Sequence, residues 1–160
     1  MPEHQLKDEL YGMFRTQGLL YWHFFDSLRK GLGEERATAI MQDAIYQFGL
    51  RIGKRFARYA PDDLAGLRDA FLRFVPDGGA SYQPEVLRCD ADALDIKIGR
   101  CLLKDAWHAA GVSDADVMKL CRIAGRQDNG TFEGAGFLFS SDTWRPGRTG
   151  CCLMRIRPKK

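Results

Sequence analysis

The sequence predicts an α+β fold in which an N-terminal helical layer packs on an antiparallel sheet of about four strands, with two short helices inserted between strand pairs. The first half carries apolar residues at helical spacing, and after the turn at Pro76 to Gly79 the period changes to strict alternation. Helices that precede the strands favour an antiparallel sheet over a doubly wound parallel one. The 160 residues suit one domain, with a helical part at 1–76 and a sheet with inserted helices at 80–158.

The first helix is predicted between Asp8 and Lys30, where apolar residues cluster densely. Gly31 and Gly33 mark its end, because glycine is the usual helix stop. Gly18 is a weak point inside it, and we expect the helix to be broken there.

The second helix has the clearest helical period in the chain. Gly49 and Gly53 lie four residues apart on it, and each costs up to about 1 kcal/mol relative to alanine. Close approach of another backbone or a ligand would explain the pair, and mere tolerance is the alternative. The predicted apolar stripe consists of Ala37, Ile40, Met41, Ala44, Ile45, Phe48, Ile52 and Phe56.

A third helix follows Pro61 and ends before Pro76. Asp62 or Asp63 is expected to cap it, because aspartate side chains accept hydrogen bonds from the first free backbone N–H groups of a helix. Its apolar face runs to Phe74.

Four strands are predicted in two pairs. Residues 82–89 and 93–100 form the first pair, and residues 136–143 and 151–157 form a hairpin. Alternation places Cys152 on the inward face with Met154 and Ile156, and Cys151 on the opposite, less favoured face.

Two helices are expected between these pairs. One passes through Leu103 and Ala110, and the other opens at Ser113, with Asp116 three residues later in a capping-box pattern. Cys121 shares the apolar face of the second helix.

Charge and hydropathy exclude two classes of partner. The formal net charge is only +3 and the basic residues are dispersed, so nucleic-acid binding is not indicated. No apolar run approaches the roughly 20 residues that span a bilayer, and the polar N-terminus from Met1 to Leu10 lacks the core of a signal peptide. We expect a cytoplasmic protein. The one basic cluster lies at the C-terminus and comprises Arg155, Arg157, Lys159 and Lys160.

The five cysteines indicate free thiols rather than a disulfide framework. Their number is odd and none precedes Cys89. No Cys-x-x-Cys pair is present, so a metal site is not predicted, and we expect no cofactor.

Cys101 is the thiol whose local sequence most favours reactivity. It follows Arg100 and stands between a strand and a helix, where the positive end of the helix dipole favours a thiolate. A cysteine packed at a strand end is the alternative. Cys121 is a second candidate catalytic thiol, with a core residue as the alternative, and Cys152 is a candidate for the wall of a substrate pocket or for the core.

Other candidate groups are charged or aromatic. Asp128 and Glu133 lie in a predicted glycine-rich loop, as turn residues or as ligands for a cationic group. Arg100 could bind a carboxylate, and His23 could contact a ligand from its aromatic helix or be a packed structural residue. His108 lies about 10 Å along the helix from Cys101, which argues against a Cys-His dyad.

A series of short motifs runs through the chain. Together they resemble the L-2-amino-thiazoline-4-carboxylic acid hydrolase family over most of the sequence. The motifs are Leu20 to Asp26, Leu32 to Glu35, Leu94 to Cys101, Trp107, Cys121, Asp128, the glycine-rich run Gly130 to Gly136, and the closing Gly147-x-x-x-Cys151-Cys152 hairpin.

The resemblance implies a hydrolase that opens a small cyclic isothiourea or amidine at a carbon-nitrogen or carbon-sulfur bond. Such a site needs a nucleophile, carboxylates for the amidinium and a cation for the substrate carboxylate, and the family pattern includes Asp128. The sequence departs from that pattern where Arg148 replaces an acidic residue and where Leu153 or Met154 replaces an aromatic one. Of the properties that the resemblance implies, the identity of the substrate is the one that these departures weaken most.

The second half is also similar to 4-vinyl reductase type domains, which implies a helix-plus-sheet fold with a ligand pocket. A non-catalytic small-molecule-binding or sensor domain is therefore the alternative to the hydrolase. A small interaction protein that forms a homodimer through its first two helices is the third hypothesis.

Overall fold

A computed structural model of the protein describes residues 3–159. Met1, at the start of the polar N-terminal segment, and Lys160, in the basic C-terminal cluster, therefore lie outside the described residues. Six α-helices and four strands make up the described chain, and short 3-10 turns cover residues 57–59 and 76–82. The helices are α1 (Glu3–Leu32), α2 (Glu34–Gly53), α3 (Leu64–Phe74), α4 (Leu102–Ala109), α5 (Asp114–Ala124) and α6 (Arg126–Gly134); the strands are β1 (Pro84–Cys89), β2 (Leu94–Ile98), β3 (Leu138–Asp142) and β4 (Cys152–Arg157).

The four strands form one antiparallel sheet in the order β1-β2-β4-β3. The two predicted strand pairs are therefore joined through β2 and β4, where Ile96 pairs with Met154 and Ile98 pairs with Cys152. Leu94 and Ile96 are buried as the alternation requires. The predicted α+β class is confirmed.

Helix α1 is continuous, so the predicted break at Gly18 is wrong. Gly18 is buried where α4 crosses α1, and the indole Nε1 of Trp107 donates a hydrogen bond to its carbonyl oxygen at 2.6 Å. A Cβ at Gly18 would lie 3.2 Å from the Cβ of Ala106. The glycine therefore permits close helix packing rather than ending the helix.

Two predicted helix starts are confirmed. At the start of α3, where Asp62 and Asp63 were the alternatives, the cap is Asp63. The Asp63 carboxylate caps α3 by accepting a hydrogen bond from Gly66 N at 2.8 Å. The Ser113 hydroxyl accepts a hydrogen bond from Asp116 N at 3.3 Å and caps α5.

Three helices, not two, lie between the strand pairs. The third is α6, in the segment that the sequence predicted to be a glycine-rich loop. Its Gly130 packs against Gly49 and Leu50 of α2, and a Cβ added to Gly49 or Gly53 would lie under 3.0 Å from backbone atoms of α6. Close backbone approach is thus the reason for the Gly49 and Gly53 pair, and the same approach stabilises α6 despite its glycines.

The core has two apolar clusters, and each combines residues from both halves of the chain. The first joins Phe25 and Met41 to Trp107 and Leu120, between α1, α2 and the inserted helices. The second joins α3, α6 and the sheet, and its members are Phe56, Leu64, Leu67, Phe71, Leu94, Ile96, Phe132, Ala135, Phe137, Met154 and Ile156.

Helices α1 and α2 pack mainly on α4 and α6, whereas α3 touches the sheet. The predicted stripe of α2 is accordingly split: Met41 and Ile45 are buried, but Ile40 and Phe48 are exposed. Among residues 3–159, no helix has the length and apolar content needed to cross a bilayer.

Candidate active site

Cys101 is the N-cap residue of α4, at the strand-to-helix junction that the sequence indicated. Its pKa is lowered first by a hydrogen bond from the Cys151 thiol. Burial acts in the opposite direction, and the backbone N–H groups of Lys104 and Leu103 at the start of α4 lower the pKa further. The half-buried Cys101 therefore favours the thiolate more than an ordinary cysteine does.

Three further cysteines lie with Cys101 in the first apolar cluster, and these four residues, Cys101, Cys121, Cys151 and Cys152, are called the thiol cluster below. The Sγ atoms of Cys151 and Cys152 are 3.2 Å apart. Cys151 is 3% exposed, because its backbone N–H donates to Ile98 O at 2.9 Å and holds it against the end of β2. The sequence placed Cys151 on the face opposite the inward one, but Cys151 is buried, because β4 begins one residue later, at Cys152.

Two of the other thiols, Cys121 and Cys151, favour the neutral form. The pKa of Cys151 is raised by its hydrogen bonds to Cys101 and Cys152 and by burial. Burial is also the main cause that raises the pKa of Cys121, with smaller contributions from the charges of Cys101 and Cys152. Of these three thiols, Cys101 therefore ionises most readily.

Asp128 lies in the first turn of α6 rather than in a loop. Burial raises its pKa to about 7, and no described cation or hydrogen-bond donor offsets that effect. An acid with this pKa exchanges its proton readily near neutral pH. Titratable groups with such shifts concentrate at functional sites.

Tyr82, which no chemical signal in the sequence indicated, interacts electrostatically with both Cys101 and Asp128. Its pKa is raised mainly by burial and then by the negative charges of Cys101, Asp128, Asp77 and Cys151. Both Cys101 and Asp128 are thus within electrostatic reach of its hydroxyl.

Lys104 is a second residue that the sequence reasoning missed. Its side chain is only 16% exposed, with Nζ 3.7 Å from Asp105 Oδ1 and 5.6 Å from the centre of the Trp144 ring. Its charge partly offsets the raised pKa of Cys121. The spacing of three residues after Cys101 in a helical pattern was the available signal, because such residues share a helix face.

Arg100 is engaged within the protein. Its Nε donates to Asp105 Oδ2 at 2.7 Å, and its guanidinium carbon lies 5.4 Å from the centre of the Tyr11 ring. The side chain is 40% exposed. Its predicted role as a clamp for a substrate carboxylate stays a prediction.

Glu133 and His23 do not join the thiol cluster. Glu133 is exposed on α6, where its carboxylate accepts hydrogen bonds from Tyr46 Oη at 2.7 Å and Asn129 Nδ2 at 3.4 Å. His23 is exposed on α1. His108 pairs with Asp114 at 3.3 Å. Within residues 3–159, no group of three or more His, Cys, Asp or Glu side chains has the arrangement needed to hold a metal ion.

Two cavities differ in whether cysteines line them. The larger, of about 390 Å³, is polar and has no cysteine in its wall. The smaller, of about 60 Å³, is lined by Cys151 and Cys152 together with Lys97, Arg148 and Leu153. Arg148, the first departure from the family pattern, and Leu153, one of the two candidates for the second, therefore both lie at the cavity that reaches the thiol cluster.

The fold and this cluster define a small α+β protein with a group of thiols packed in its first apolar cluster and an acid of raised pKa on α6. The chain belongs to the L-2-amino-thiazoline-4-carboxylic acid hydrolase family, because the sequence model of that family matches residues 13–155, nearly the whole chain. The resemblance seen in the motifs is thereby confirmed. The family takes its name from a hydrolase. No curated protein matches the chain.

Proposed function

We propose that the protein hydrolyses a small cyclic isothiourea or amidine of the L-2-amino-thiazoline-4-carboxylate type, with the Cys101 thiolate as the nucleophile. The observation that carries the proposal is the setting of Cys101, where a neighbouring thiol and two backbone N–H groups all favour its ionised form. A thiolate is a strong nucleophile toward a carbon bonded to sulfur and two nitrogens. The family name points to the same substrate class.

In the first step, Cys101 Sγ forms a bond to the ring carbon, and the electrons of the C=N bond move to the ring nitrogen. Asp128 supplies the proton that this nitrogen takes, since about half of its carboxyl groups are protonated near pH 7. The tetrahedral centre then collapses, the ring C–S bond breaks, and the sulfur leaves and is protonated. An isothiourea linked to Cys101 remains.

In the second step, water attacks the same carbon while the Asp128 carboxylate accepts its proton. The bond to Cys101 breaks and the thiolate is restored. The oxygen of one water becomes the new carbonyl oxygen, and its two hydrogens end on the former ring nitrogen and ring sulfur. Collapse through the ring C–N bond is the other balanced route and releases an amine instead of a thiol.

The carboxylate of such a substrate needs a cationic partner. Arg148 and Lys97 line the cavity that reaches Cys151 and Cys152, whereas Arg100 is already bonded to Asp105. We therefore propose Arg148 as the principal carboxylate ligand, ahead of Arg100. Cys121 and Cys152 contribute to the wall of the site rather than to the chemistry.

The proposal is tested by incubating the protein with L-2-amino-thiazoline-4-carboxylate and following the loss of the ring and the appearance of free thiol or amine. The Cys101→Ala variant should lose at least about 10³-fold in kcat, as expected when a covalent nucleophile is removed. Cys89→Ala is the matched control, because Cys89 packs against the second cluster and should leave kcat unchanged.

Two results would count against the proposal. An undiminished kcat in the Cys101→Ala variant would show that Cys101 is not the nucleophile. Absence of turnover with every cyclic isothiourea and amidine tried would contradict the proposed hydrolase activity. A co-purified ligand in native mass spectrometry would then identify a non-catalytic binding domain.

A further inference from the structure

The thiol cluster contains more sulfur than the proposed hydrolysis uses. Cys151 makes hydrogen bonds to Cys101 on one side and to Cys152 on the other, with 3.2 Å between the Sγ atoms of the latter pair. We propose that Cys101 is a site of reversible oxidation by a peroxide and that Cys151 is the thiol that closes the disulfide. The inference rests on the proposed function for its consequence, the loss of hydrolysis, but not for its chemistry.

The backbone places both residues at the same end of β2. Cys151 N donates to Ile98 O at 2.9 Å, and Ile98 is the β2 residue that pairs with Cys152. Cys101 follows Ile98 by three residues and caps α4. The disulfide would therefore join the N-cap of α4 to the residue that precedes β4, and its formation would break no strand pairing, because neither residue belongs to a strand.

The surroundings also select which thiols react. Oxidation by peroxide begins at a thiolate with access to solvent, and Cys101 is the half-buried member whose ionised form is favoured by backbone N–H groups. Cys121 is 5% exposed in the apolar cluster, and Cys89 belongs to the other cluster. Cys152 adjoins Cys151 in sequence, and an unstrained disulfide between neighbours is difficult to form.

The reaction balances with a hydroperoxide as the only oxidant. The Cys101 thiolate attacks one peroxide oxygen, the O–O bond breaks, and the leaving hydroxide or alkoxide takes a proton. Cys101 is then a sulfenic acid. The Cys151 sulfur attacks Cys101 Sγ, the S–O bond breaks, and hydroxide leaves with the Cys151 proton as water. Two thiols lose two electrons in total, and the peroxide is reduced.

The experiment exposes the full-length protein to hydrogen peroxide and maps its disulfides by mass spectrometry of unreduced peptides. We expect a Cys101–Cys151 peptide pair, a loss of two of the five thiols, and recovery of all five after dithiothreitol. In Cys151→Ser, the linkage should be absent and Cys101 should advance to the sulfinic acid, which dithiothreitol does not reverse. Cys89→Ser, the matched control, should form the linkage as the wild type does.

Each alternative outcome overturns the inference. A Cys151–Cys152 or Cys101–Cys121 linkage would mean that the pair is misassigned, and five unchanged thiols under peroxide would mean that the cluster is inert. The readout is covalent and independent of turnover. A protein that forms the linkage but hydrolyses nothing would refute the proposed function and leave this inference intact.

Discussion

Three cysteines of the thiol cluster, Cys101, Cys121 and Cys151, differ in ionisation because their immediate neighbours differ, although their residue type is the same. Cys101 receives hydrogen bonds from a thiol and from the first turn of α4, whereas for Cys121 apolar burial and nearby negative charge outweigh the positive charge of Lys104. A negative charge at one sulfur also raises the pKa of the next. Only one thiolate at a time is therefore favoured in the cluster, and the start of α4 places it on Cys101.

The arginine assignment gives a prediction at this scale. Arg148→Ala should raise KM for a carboxylate-bearing substrate by about tenfold or more, the order expected when a charged hydrogen bond is lost, with a smaller change in kcat. Arg100→Ala is the matched comparison, and its KM should change less because Asp105 already engages that guanidinium. Steady-state kinetics measure the KM of both variants. A larger increase in KM for Arg100→Ala than for Arg148→Ala would support Arg100 as the carboxylate ligand, as the sequence predicted.

The crossing of α2 and α6 determines where Asp128 lies. Gly49 and Gly53 on α2 face Gly130 and Gly134 on α6, and the two backbones touch without side chains between them. Because Asp128 lies two residues before Gly130, this crossing fixes the depth of its carboxyl group. The helix that carries a candidate site residue is thus positioned by glycines of α2, about 80 residues earlier in the sequence.

Gly49→Ala should destabilise the protein by at least about 2 kcal/mol, because its Cβ would overlap backbone atoms of α6 that cannot move independently. Gly12→Ala is the matched control: Gly12 is also helical, and a Cβ there meets nothing within 4 Å. That change should be neutral or stabilise by up to about 1 kcal/mol. Urea unfolding measures both, and equal stability of Gly49→Ala and the wild type would contradict the account.

At the scale of elements, the sequence was informative where a local signal decides the outcome. The cap residues Asp63 and Ser113, the alternation in β2 and the position of Cys101 before a helix all depend on neighbours in sequence. Helix α6 was missed because its glycines oppose helix formation locally and are tolerated only through contact with α2, which lies about 80 residues away in sequence.

In the candidate site, too, the sequence was informative about local features and not about contacts that form only on folding. Tyr82 was missed because its proximity to Cys101 and Asp128 arises only when the chain folds. Cys151 was misplaced because alternation was extended one residue beyond the true start of β4. His23 lies on the exposed part of a helix whose aromatic residues are distributed all around it, so its sequence context did not define a face.

At the scale of the whole molecule, Asp128 couples the candidate site to stability. Its pKa in the folded protein is about 7 instead of 3.8, so ionisation is disfavoured by folding. Below pH 3.8 the group is protonated in both states and costs nothing. The penalty grows as the pH rises from about 4 to 7 and is complete above that range.

Asp128→Asn should therefore stabilise the protein at pH 8, by up to roughly 4 kcal/mol, and have little effect at pH 4. The same variant should lose turnover if Asp128 transfers protons. Glu133→Gln is the matched control, because Glu133 is an exposed carboxylate on the same helix. Denaturant unfolding at the two pH values measures the difference; an equal effect of Asp128→Asn at both would contradict the raised pKa.

Assembly and compartment belong to the same scale. Helix α1 exposes Leu6, Met13, Leu20 and Phe24 at intervals of seven or four residues, which is where the homodimer considered from the sequence would form. The homodimer and a cytoplasmic location both stay predictions.

The division of both apolar clusters between the two halves of the chain has a practical consequence. A gene cut within the turn at residues 76–82 would yield two fragments, each with exposed apolar surface that only the other can cover. Neither fragment could act as a transferable module, and the thiol-bearing half could not be exchanged between relatives without its helical partner. The same mutual dependence makes that turn the natural place to divide the protein into two complementing pieces whose reunion restores the site.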